Sequence, residues 1–440
     1  MPSAEDLSAW VRDARRRTLD LVSDLDGTQL IGPRLAVVNP PLWEIGHVAW
    51  FQERWVLRHA AGKPPLRADA DALWDSTAIP HDARWELPLP GWEETLAYMA
   101  GVEAGVLRAL REVPTAAVHH FAEYATYHED MHDEAFAYTR QTLGYPAPRR
   151  RAADGEGPAT AEARPLTGAA AAEPRGPWPG DVAIAGGSLR LGAEPGEPFV
   201  FDNEKWAHPV EVAPFRIARA PVTAAEFAAF VEDGGYSRPE HWPKAGWVWR
   251  ERQDAHHPVH WRRGDRGWER RDFDRWVLLE PHRPVVHVSW YEAEAWCAWA
   301  GRRLPSEAEW EMAAAGPGPA GGRPRRFPWG DAPPAPEHAQ LNAGVLGCAD
   351  VAACPEGDAA TGCRQMIGNV WEWTQSAFGP YPGFVADAYK EYSEPWFFTH
   401  KVLRGGCWVT RGRLLRNTWR NFYPPDRRDV WAGFRTCALE

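Results

Sequence analysis

The N-terminal third of the chain repeats apolar residues with the spacing of amphipathic helices. Apolar positions recur three or four residues apart in four segments, residues 7–14, 42–55, 91–110 and 117–143. Side chains at this spacing share one face of a helix, so each segment predicts a helix with one buried side. Gly144 follows the last segment as a candidate C-terminal cap. Four such helices joined by loops predict a helix bundle over residues 1–145.

The pattern changes twice after the predicted bundle. Residues 146–180 are rich in Pro, Ala and Gly and have no apolar period, which predicts a linker. Residues 181–440 then alternate short apolar runs with long loops dense in Gly, Pro and Trp, which predicts an α+β domain with little regular secondary structure. The predicted strands are residues 182–184, 199–201, 210–218, 285–290 and 402–408, and the predicted helices are residues 224–232 and 291–300.

Composition narrows the class of protein. The 440 residues carry a net charge of −11, whereas nucleic-acid binding needs clustered Lys and Arg, so a nucleic-acid partner is not expected. No window of 18 uninterrupted apolar residues is present, and the N-terminus is polar and charged, so we expect neither a membrane span nor a secretion signal. The six cysteines form no CxxC pair, which favours buried free thiols and a cytoplasmic location.

One predicted helix carries a candidate metal site. His128 and His132 are four residues apart in HEDMH, so both imidazoles project from one helix face and can reach one ion. Two surface histidines on an acidic helix are the plainer alternative. The same string matches the zinc-peptidase pattern HExxH, with Glu129 as general base. His47, on an apolar bundle helix, is either a core residue or the third ligand, since bundle cores are where facing helices build metal sites.

Three imidazoles would leave up to three positions open on an octahedral ion. Imidazole suits zinc, copper, iron and nickel alike, so the ligand type does not choose the metal. A closed structural zinc site would need a fourth protein ligand.

Several strings resemble known families. The N-terminal part resembles DinB-like four-helix bundles, and the C-terminal part resembles the formylglycine-generating-enzyme/sulfatase-modifying domain, a C-type-lectin-like fold. The strings that carry the second resemblance are FDNEKWAHPVEV (201–212), PVVHVSWYEAEAWCAWAGRRLPSEAEWEMAAAG (284–316), FPWGD (327–331), GNVWEWT (368–374), VLRGGCW (402–408) and GFRT (433–436). A bundle followed by this domain is similar to the ergothioneine sulfoxide synthases (EgtB-like) and to their relatives the selenoneine synthases (SenA-like), the branch that the chain resembles most.

The resemblance implies a chemistry and a set of ligands. It implies that His47, His128 and His132 hold iron(II), that O2 is the co-substrate, and that sulfur or selenium is joined to the imidazole carbon between the two nitrogens of hercynine, a histidine betaine. It also implies a catalytic tyrosine upstream of the RGGxW string. Tyr389 is the candidate, with Tyr381 and Tyr392 as neighbouring alternatives, and packing aromatics as the plainer interpretation.

The family's hercynine-binding segment maps onto residues 420–423. The resemblance implies that Asn421 binds the polar backbone groups of the substrate and that Phe422 offers a ring to its trimethylammonium group, a contact worth about 0.5–2 kcal/mol. Met131 stands where the family often has Gln, so one hydrogen bond to the substrate imidazole is absent or replaced.

Two departures from the family pattern bear on the chalcogen donor. Relatives that use γ-glutamylcysteine are expected to carry two arginines and one aspartate that grip its polar ends. Here Arg84 remains, whereas Leu87 and Tyr423 replace the other two. Loss of a bidentate cation weakens recognition of a carboxylate. Tyr423, Trp85 and His81 would suit an uncharged, hydroxyl-rich donor, so a selenosugar is predicted and a thiol donor such as cysteine stays open.

Four other functions are weaker interpretations. A formylglycine-generating oxidase needs a late cysteine pair, and residues 411–434 contain no cysteine. A zinc peptidase rests on HEDMH alone. A carbohydrate-binding module would leave the three histidines unexplained, and a thiol transferase built on the bundle would leave the second domain idle.

Overall fold

The computed structural model describes residues 2–148, 176–316 and 324–439. The chain divides into two compact units, Met1–Ala163 with Asp272–Arg275, and Arg164–Arg271 with Trp276–Glu440. Most of the predicted linker, residues 149–175, lies outside the described residues. Within the described part, no helix combines the length and apolar character that crossing a membrane requires.

The first unit is helical. Its helices are α1 (Ala4–Val22), α2 (Gly27–Ile31), α3 (Pro41–Gln52), α4 (Ala70–Trp74), α5 (Trp92–Glu112) and α6 (Ala116–Leu143). Local chemistry fixes their ends: the Ser3 side chain accepts from the backbone N–H of Asp6 at the start of α1, and Gly144 ends α6 with φ +65°. The long helices α1, α3, α5 and α6 match the four predicted ones, and α2 and α4 are short additions in the loops.

Helices α3 and α6 form the centre of this unit. Every residue of α3 is buried, and so is most of α6. Helix α3 continues directly as a π-helix, Glu53–Ala60, a form that is rare in proteins and frequent at functional sites. Polar side chains on two such central helices must find partners inside the protein, because water does not reach them.

In the residues that the structure describes, the second unit contains short strands and four α-helices. The strands are β1 (Asp181–Ile184), β2 (Gly187–Leu191), β3 (His208–Val212), β4 (Phe215–Ala218), β5 (Trp261–Gly264), β6 (Gly267–Asp272), β7 (Arg275–Leu278), β8 (Arg302–Arg303), β9 (Trp371–Ala377), β10 (Lys401–Arg404), β11 (Asn421–Tyr423), β12 (Ala432–Gly433) and β13 (Cys437–Ala438). The helices are α7 (Ala224–Glu232), α8 (Lys244–Arg252), α9 (Trp290–Ala300) and α10 (Glu307–Ala315). Strand β6 ends, and β7 begins, on a residue that belongs to the first unit.

These strands form small sheets rather than one large one. Two have four strands, in the orders β1-β4-β13-β8 and β11-β10-β9-β12, and the others are β2-β3 and β5-β6-β7. In the second sheet β11 pairs antiparallel with β10, with Leu403 opposite Asn421 and Val402 opposite Phe422. A core that contains Ile217, Trp310 and Met366 packs beside the first sheet. The predicted bundle followed by an α+β domain with little regular structure is therefore confirmed.

Several predicted strands are wrong in detail. Residues 199–201 and 285–290 are not strands, residues 210–218 divide between β3 and β4, and the predicted strand 402–408 ends at Arg404. The predicted helices 224–232 and 291–300 match α7 and α9 to within one residue. All six cysteines are buried and unpaired by disulfides, as expected.

Candidate metal centre

Three imidazoles converge in the core of the helical unit. His47 lies on α3, and His128 and His132 lie one turn apart on α6. One ring nitrogen of each lies within 4.8 Å of one in each of the others. The ring centroids are 5.1 Å apart for His47 and His128, 5.0 Å for His47 and His132, and 4.5 Å for His128 and His132. The helical spacing on α6 and the packing of α3 against it produce this cluster.

The orientation of His47 is fixed on two sides. Its Nδ1–H donates to the backbone carbonyl of Trp74 at 2.8 Å. Its ring stacks on Trp43 with centroids 4.8 Å apart and planes 9° apart. A carbonyl oxygen can only accept, so Nδ1 carries the proton and Nε2 keeps the lone pair that a metal ion needs.

The hydrogen bond between His47 and the Trp74 carbonyl depends on the absence of a side chain at Gly46. The Trp74 indole lies directly against the α3 backbone at Gly46, where a Cβ atom would overlap its ring. The close approach places the end of α4 beside α3, so that the Trp74 carbonyl reaches His47. Any side chain at this position would push the two elements apart.

A buried carboxylate holds His132. Its Nδ1 lies 2.6 Å from Oε1 of Glu44, whose side chain is only 1% exposed. Hydrogen bonding of this kind orients a ligand imidazole and raises its basicity. His128 instead stacks on Phe51, with ring centroids 3.7 Å apart. Its Nδ1 is buried without a hydrogen-bond partner among the described residues.

Burial favours the neutral form of two of these rings. Desolvation lowers the pKa of His47 well below its ordinary value, and repulsion from His132 adds to this effect, whereas the hydrogen bond to Trp74 opposes it. Desolvation also lowers the pKa of His128 well below the ordinary value, with further contributions from His132 and His47. Neutral imidazole is the form that binds metals.

The donor set therefore fits a divalent transition metal. His47, His128 and His132 would hold it through three nitrogen atoms, and the described part of the chain adds no fourth histidine, cysteine or carboxylate to the cluster. A structural zinc site would need that fourth ligand. Three neutral nitrogens with open positions instead suit an ion that binds substrates.

Glu129 does not belong to this cluster. Its carboxylate accepts from Arg15 Nε at 2.8 Å, Gln52 Nε2 at 2.7 Å and the Thr18 hydroxyl at 2.9 Å. It is fully buried in that network. A zinc peptidase needs this glutamate as a free base beside the metal-bound water. The geometry of Glu129 therefore disfavours the peptidase interpretation.

Two further predicted site residues lie in the same unit. Arg84 donates from Nη1 to Asn39 Oδ1 at 2.6 Å, and its guanidinium lies 4.1 Å from the centre of the Trp43 ring, on which His47 also stacks. Met131, half-buried, lies on α6 between the two histidines.

Two other residues that were expected to suit a sugar have structural partners. His81 Nε2 lies 2.8 Å from the carbonyl of Val38, and Trp85 Nε1 donates to the carbonyl of Gly32 at 3.2 Å. These contacts fasten their loop to the segment before α3.

The three candidate tyrosines lie in one segment of the second unit. Tyr389 is half-buried at the start of the helical turn Lys390–Tyr392. Tyr392 stacks on Phe201 with centroids 4.7 Å apart, and burial raises its pKa. Tyr381 is buried under the guanidinium of Arg420, 4.1 Å from its ring centre, and burial raises its pKa as well. Tyr381 and Tyr392 therefore pack against other aromatic or charged side chains, and Tyr389 stays the candidate that the family resemblance implies.

The predicted hercynine-binding residues form β11, and all three are partly exposed. Asn421 Oδ1 accepts from the backbone N–H of Phe422 at 2.8 Å. Phe422 stacks on Phe378 at 4.0 Å. Arg427 lies 5.0 Å from the ring centre of Tyr423.

Sequence reasoning missed the groups that orient the histidines. Glu44 lies three residues before His47 on the same helix, a spacing that places both side chains on one face. That spacing was a usable signal that a carboxylate lies near the histidine cluster. The Trp74 carbonyl had no signal, because a backbone acceptor is the same at every residue.

The chain matches two family models. Residues 11–145 match the DinB superfamily, and residues 167–439 match the sulfatase-modifying factor enzyme 1-like domain.

Relatives match over the whole chain or over the second domain. A hercynine oxygenase from Mycolicibacterium thermoresistibile is 38% identical and covers 99% of this chain and 95% of its own length. One from Mycobacterium tuberculosis is 38% identical and covers 99% of both chains. A formylglycine-generating enzyme from Streptomyces coelicolor is 33% identical over 61% of this chain and 94% of its own length. By its full-length match and its order of domains, the chain belongs to the family of the EgtB-like hercynine oxygenases.

Proposed function

We propose that this protein is an iron(II)- and O2-dependent oxidoreductase that joins the selenium of a selenosugar to the imidazole of hercynine. The bond would form at the ring carbon between the two nitrogens, on the way to selenoneine. The observation that carries the proposal is the convergence of ligand atoms from His47, His128 and His132 within 4.8 Å. The names of the full-length relatives support hercynine as the substrate.

Iron(II) held by these histidines would supply the electron-transfer chemistry through which O2 reacts with a closed-shell substrate. The chain's own residues would orient the ligand histidines and the substrate, and would supply a proton to the reduced oxygen. The Trp74 carbonyl and the Glu44 carboxylate fix the protons of His47 and His132 on Nδ1. In this proposal the Tyr389 hydroxyl gives a proton to the reduced oxygen, Asn421 binds the polar groups of hercynine, and Phe422 faces its trimethylammonium group.

The electron balance of the reaction is simple. Forming the C–Se bond with loss of one hydrogen from each partner releases two electrons. Oxidation of selenium to the selenoxide releases two more. One O2 accepts all four, so that one oxygen atom ends in the selenoxide and the other leaves as water. The same balance holds for a thiol donor and a sulfoxide.

The choice of a selenosugar rests on what surrounds the single retained arginine. Arg84 contacts a neutral amide, Asn39, and an indole, Trp43. Leu87 and Tyr423 stand where a second cation and an acid would grip a charged peptide donor. A dianionic donor would lack one charge-assisted contact, each of which is worth about 1.5–3 kcal/mol.

A thiol donor is the second candidate. It stays open because Arg84, the retained cation, can bind the carboxylate of a thiol donor, and the relatives' name specifies hercynine without specifying the donor. In that case cysteine or γ-glutamylcysteine would replace the selenosugar at the same metal centre.

The test is reconstitution without oxygen. Metal-free protein receives iron(II), hercynine and one donor (selenosugar, cysteine or γ-glutamylcysteine), then O2, and mass spectrometry reads the products. We expect a hercynine–selenosugar adduct whose formation requires both iron(II) and O2. Adducts formed only with a thiol would overturn the selenosugar assignment, and no adduct from protein with bound iron would overturn the function. A His128→Ala variant is the matched control and should form no adduct.

A further inference from the structure

The string FDNEKWAHPVEV contains a buried turn that the proposed chemistry leaves unused. Asp202, Asn203 and Glu204 form one helical turn, and each is at most 1% exposed. Burying carboxylates is costly unless each is fully paired. The pairs of this turn lead to two segments that are far apart in the sequence.

Asp202 fastens the segment that contains the candidate tyrosine. Its Oδ1 accepts from the Ser393 hydroxyl at 2.5 Å, and its Oδ2 accepts from the backbone N–H of Asp387 at 3.3 Å. Asn203 Nδ2 donates to the same Ser393 hydroxyl at 3.0 Å. Just beyond the turn, Lys205 Nζ contacts both carboxylate oxygens of Asp387 at 2.6 and 2.7 Å. The residues held at 387 and 393 bracket Tyr389.

Glu204 fastens the segment that leads into β11. Its carboxylate pairs with Arg416 through both oxygens, with a 2.9 Å contact from Nε to Oε2. The Thr418 hydroxyl donates to Oε2 at 2.8 Å. The carbonyl of Asn203 accepts from Arg420 Nη1 at 2.7 Å. Three residues that directly precede β11, the strand of Asn421, are thus bonded to the turn.

We propose that the turn 202–204 is a positioning element that sets Tyr389 and Asn421 relative to each other. The inference rests on the proposed function, in which the first residue moves a proton and the second binds hercynine. A displacement of about 1 Å can lower a catalytic rate by about a hundredfold, so two loops that serve one reaction benefit from a common rigid anchor. The tyrosine segment depends on Asp202, and the hercynine segment depends on Glu204.

Two conservative variants test the tyrosine segment and the hercynine segment separately. Ser393→Ala removes the hydroxyl that Asp202 holds, and Thr418→Val removes the hydroxyl that Glu204 holds. Asp202 keeps its contact with the backbone N–H of Asp387 at 3.3 Å, and Glu204 keeps its ion pair with Arg416. Thr361→Val is the matched control, because that hydroxyl contacts the Ala313 carbonyl at 2.8 Å instead of the turn. The measurements are kcat and KM for hercynine in the iron-loaded enzyme, hercynine affinity by anaerobic calorimetry, and the thermal unfolding midpoint.

We expect Ser393→Ala to lower kcat about tenfold while hercynine affinity stays within about twofold of wild type. Thr418→Val should weaken hercynine binding about fivefold while kcat stays within about twofold. Thr361→Val should change neither quantity. A purely structural turn would instead move kcat and affinity together in both variants, in step with the unfolding midpoint, and that result would overturn the inference. Wild-type protein that binds no hercynine would refute the proposed function itself, before any variant is compared.

Discussion

At the scale of single residues, His47 and His132 are oriented by different kinds of hydrogen-bond acceptor. His47 donates to a neutral carbonyl, whereas His132 lies against a carboxylate at 2.6 Å. Three neutral imidazoles leave the full charge of a divalent ion in a buried site. Glu44 lies one imidazole away and offsets part of that charge, which is favourable where little water is present.

Replacement of Glu44 should therefore weaken metal binding. Glu44→Gln keeps an oxygen that can accept from His132 but loses the charge, and we expect about tenfold weaker binding; Glu44→Ala loses both, and we expect up to about a hundredfold. Titration of metal-free protein with cobalt(II), followed by visible absorption, measures both affinities.

A matched control for Glu44 lies on α6. Glu123 is a buried carboxylate that accepts from the Tyr127 hydroxyl at 2.9 Å, so Glu123→Gln should bind cobalt as the wild type does. Unchanged cobalt affinity in both Glu44 variants would contradict a role for this carboxylate.

The sequence predicted the clustered histidines better than their partners. Helical spacing placed His128 and His132 on one face, and His47 was either a core residue or a third ligand; the structure brings the three side chains together. Glu44 lies three residues before His47, which also places the two side chains on one helix face, but an isolated acid on a helix has many roles. The carbonyl of Trp74 depends on how two helices meet, which local patterns do not specify.

At the scale of elements, the contact between α3 and α4 depends on Gly46. The Trp74 indole lies where a side chain at this position would project. Packing of this ring therefore requires a glycine inside the helix, although glycine weakens helices by about 1 kcal/mol relative to alanine.

Gly46→Ala should destabilise the protein by about 1–3 kcal/mol, since overlap with a packed ring forces backbone shifts. It should also weaken metal binding, because the Trp74 carbonyl moves away from His47. Urea unfolding and the cobalt titration measure the two effects.

Gly27→Ala supplies the comparison for Gly46. A Cβ atom at this helical position meets no atom within 4 Å, so the substitution should leave stability and metal binding unchanged. Normal metal affinity in Gly46→Ala would show that His47 keeps its orientation without Trp74.

The wrongly predicted strands have a structural reason. Residues 285–290 include three valines, as a strand often does, but His287 adopts φ +61°, which breaks the extended backbone. Backbone bonds of this segment go to separate partners, from Val285 to Val222 and from Val288 to Ala432. Apolar patterning predicts burial reliably, but it does not determine which backbone groups pair.

At the scale of the whole molecule, buried neutral histidines couple folding to pH. Burial lowers the pKa of His287 to about 3 and lowers that of His260 well below its ordinary value. The unfolded chain takes up these protons near pH 6.5, whereas the folded chain does not until much lower pH. Their contribution to stability is thus complete above about pH 6.5 and is lost as the pH falls toward 3.

We therefore expect the urea midpoint to fall between pH 7 and pH 5, with His287 contributing at most about 1.4 kcal/mol per pH unit. His287→Asn should flatten this dependence, since Asn tolerates a positive φ and does not titrate. The control His256→Asn changes a histidine whose side chain is 58% exposed and should keep the wild-type slope. Equal slopes in all three proteins would contradict the prediction.

The order of the two domains was predictable because each has its own hydrophobic pattern in the sequence. A 3.6-residue apolar period indicates a bundle, and short apolar runs among Gly, Pro and Trp indicate the irregular second domain. The number and order of the small sheets were not predictable, since strands of two to seven residues carry too little pattern.

The network around Glu129 has a consequence for how loss-of-function variants of this protein are interpreted. Replacing the glutamate of an HExxH string is the usual proof of a hydrolytic base. Here Glu129→Ala would leave the Arg15 guanidinium buried without its anion between α1 and α6, a loss that typically costs about 3–5 kcal/mol. Loss of activity in this variant would then reflect an unfolded bundle. Its secondary structure and thermal unfolding therefore have to be measured before the loss of activity is ascribed to a missing catalytic base.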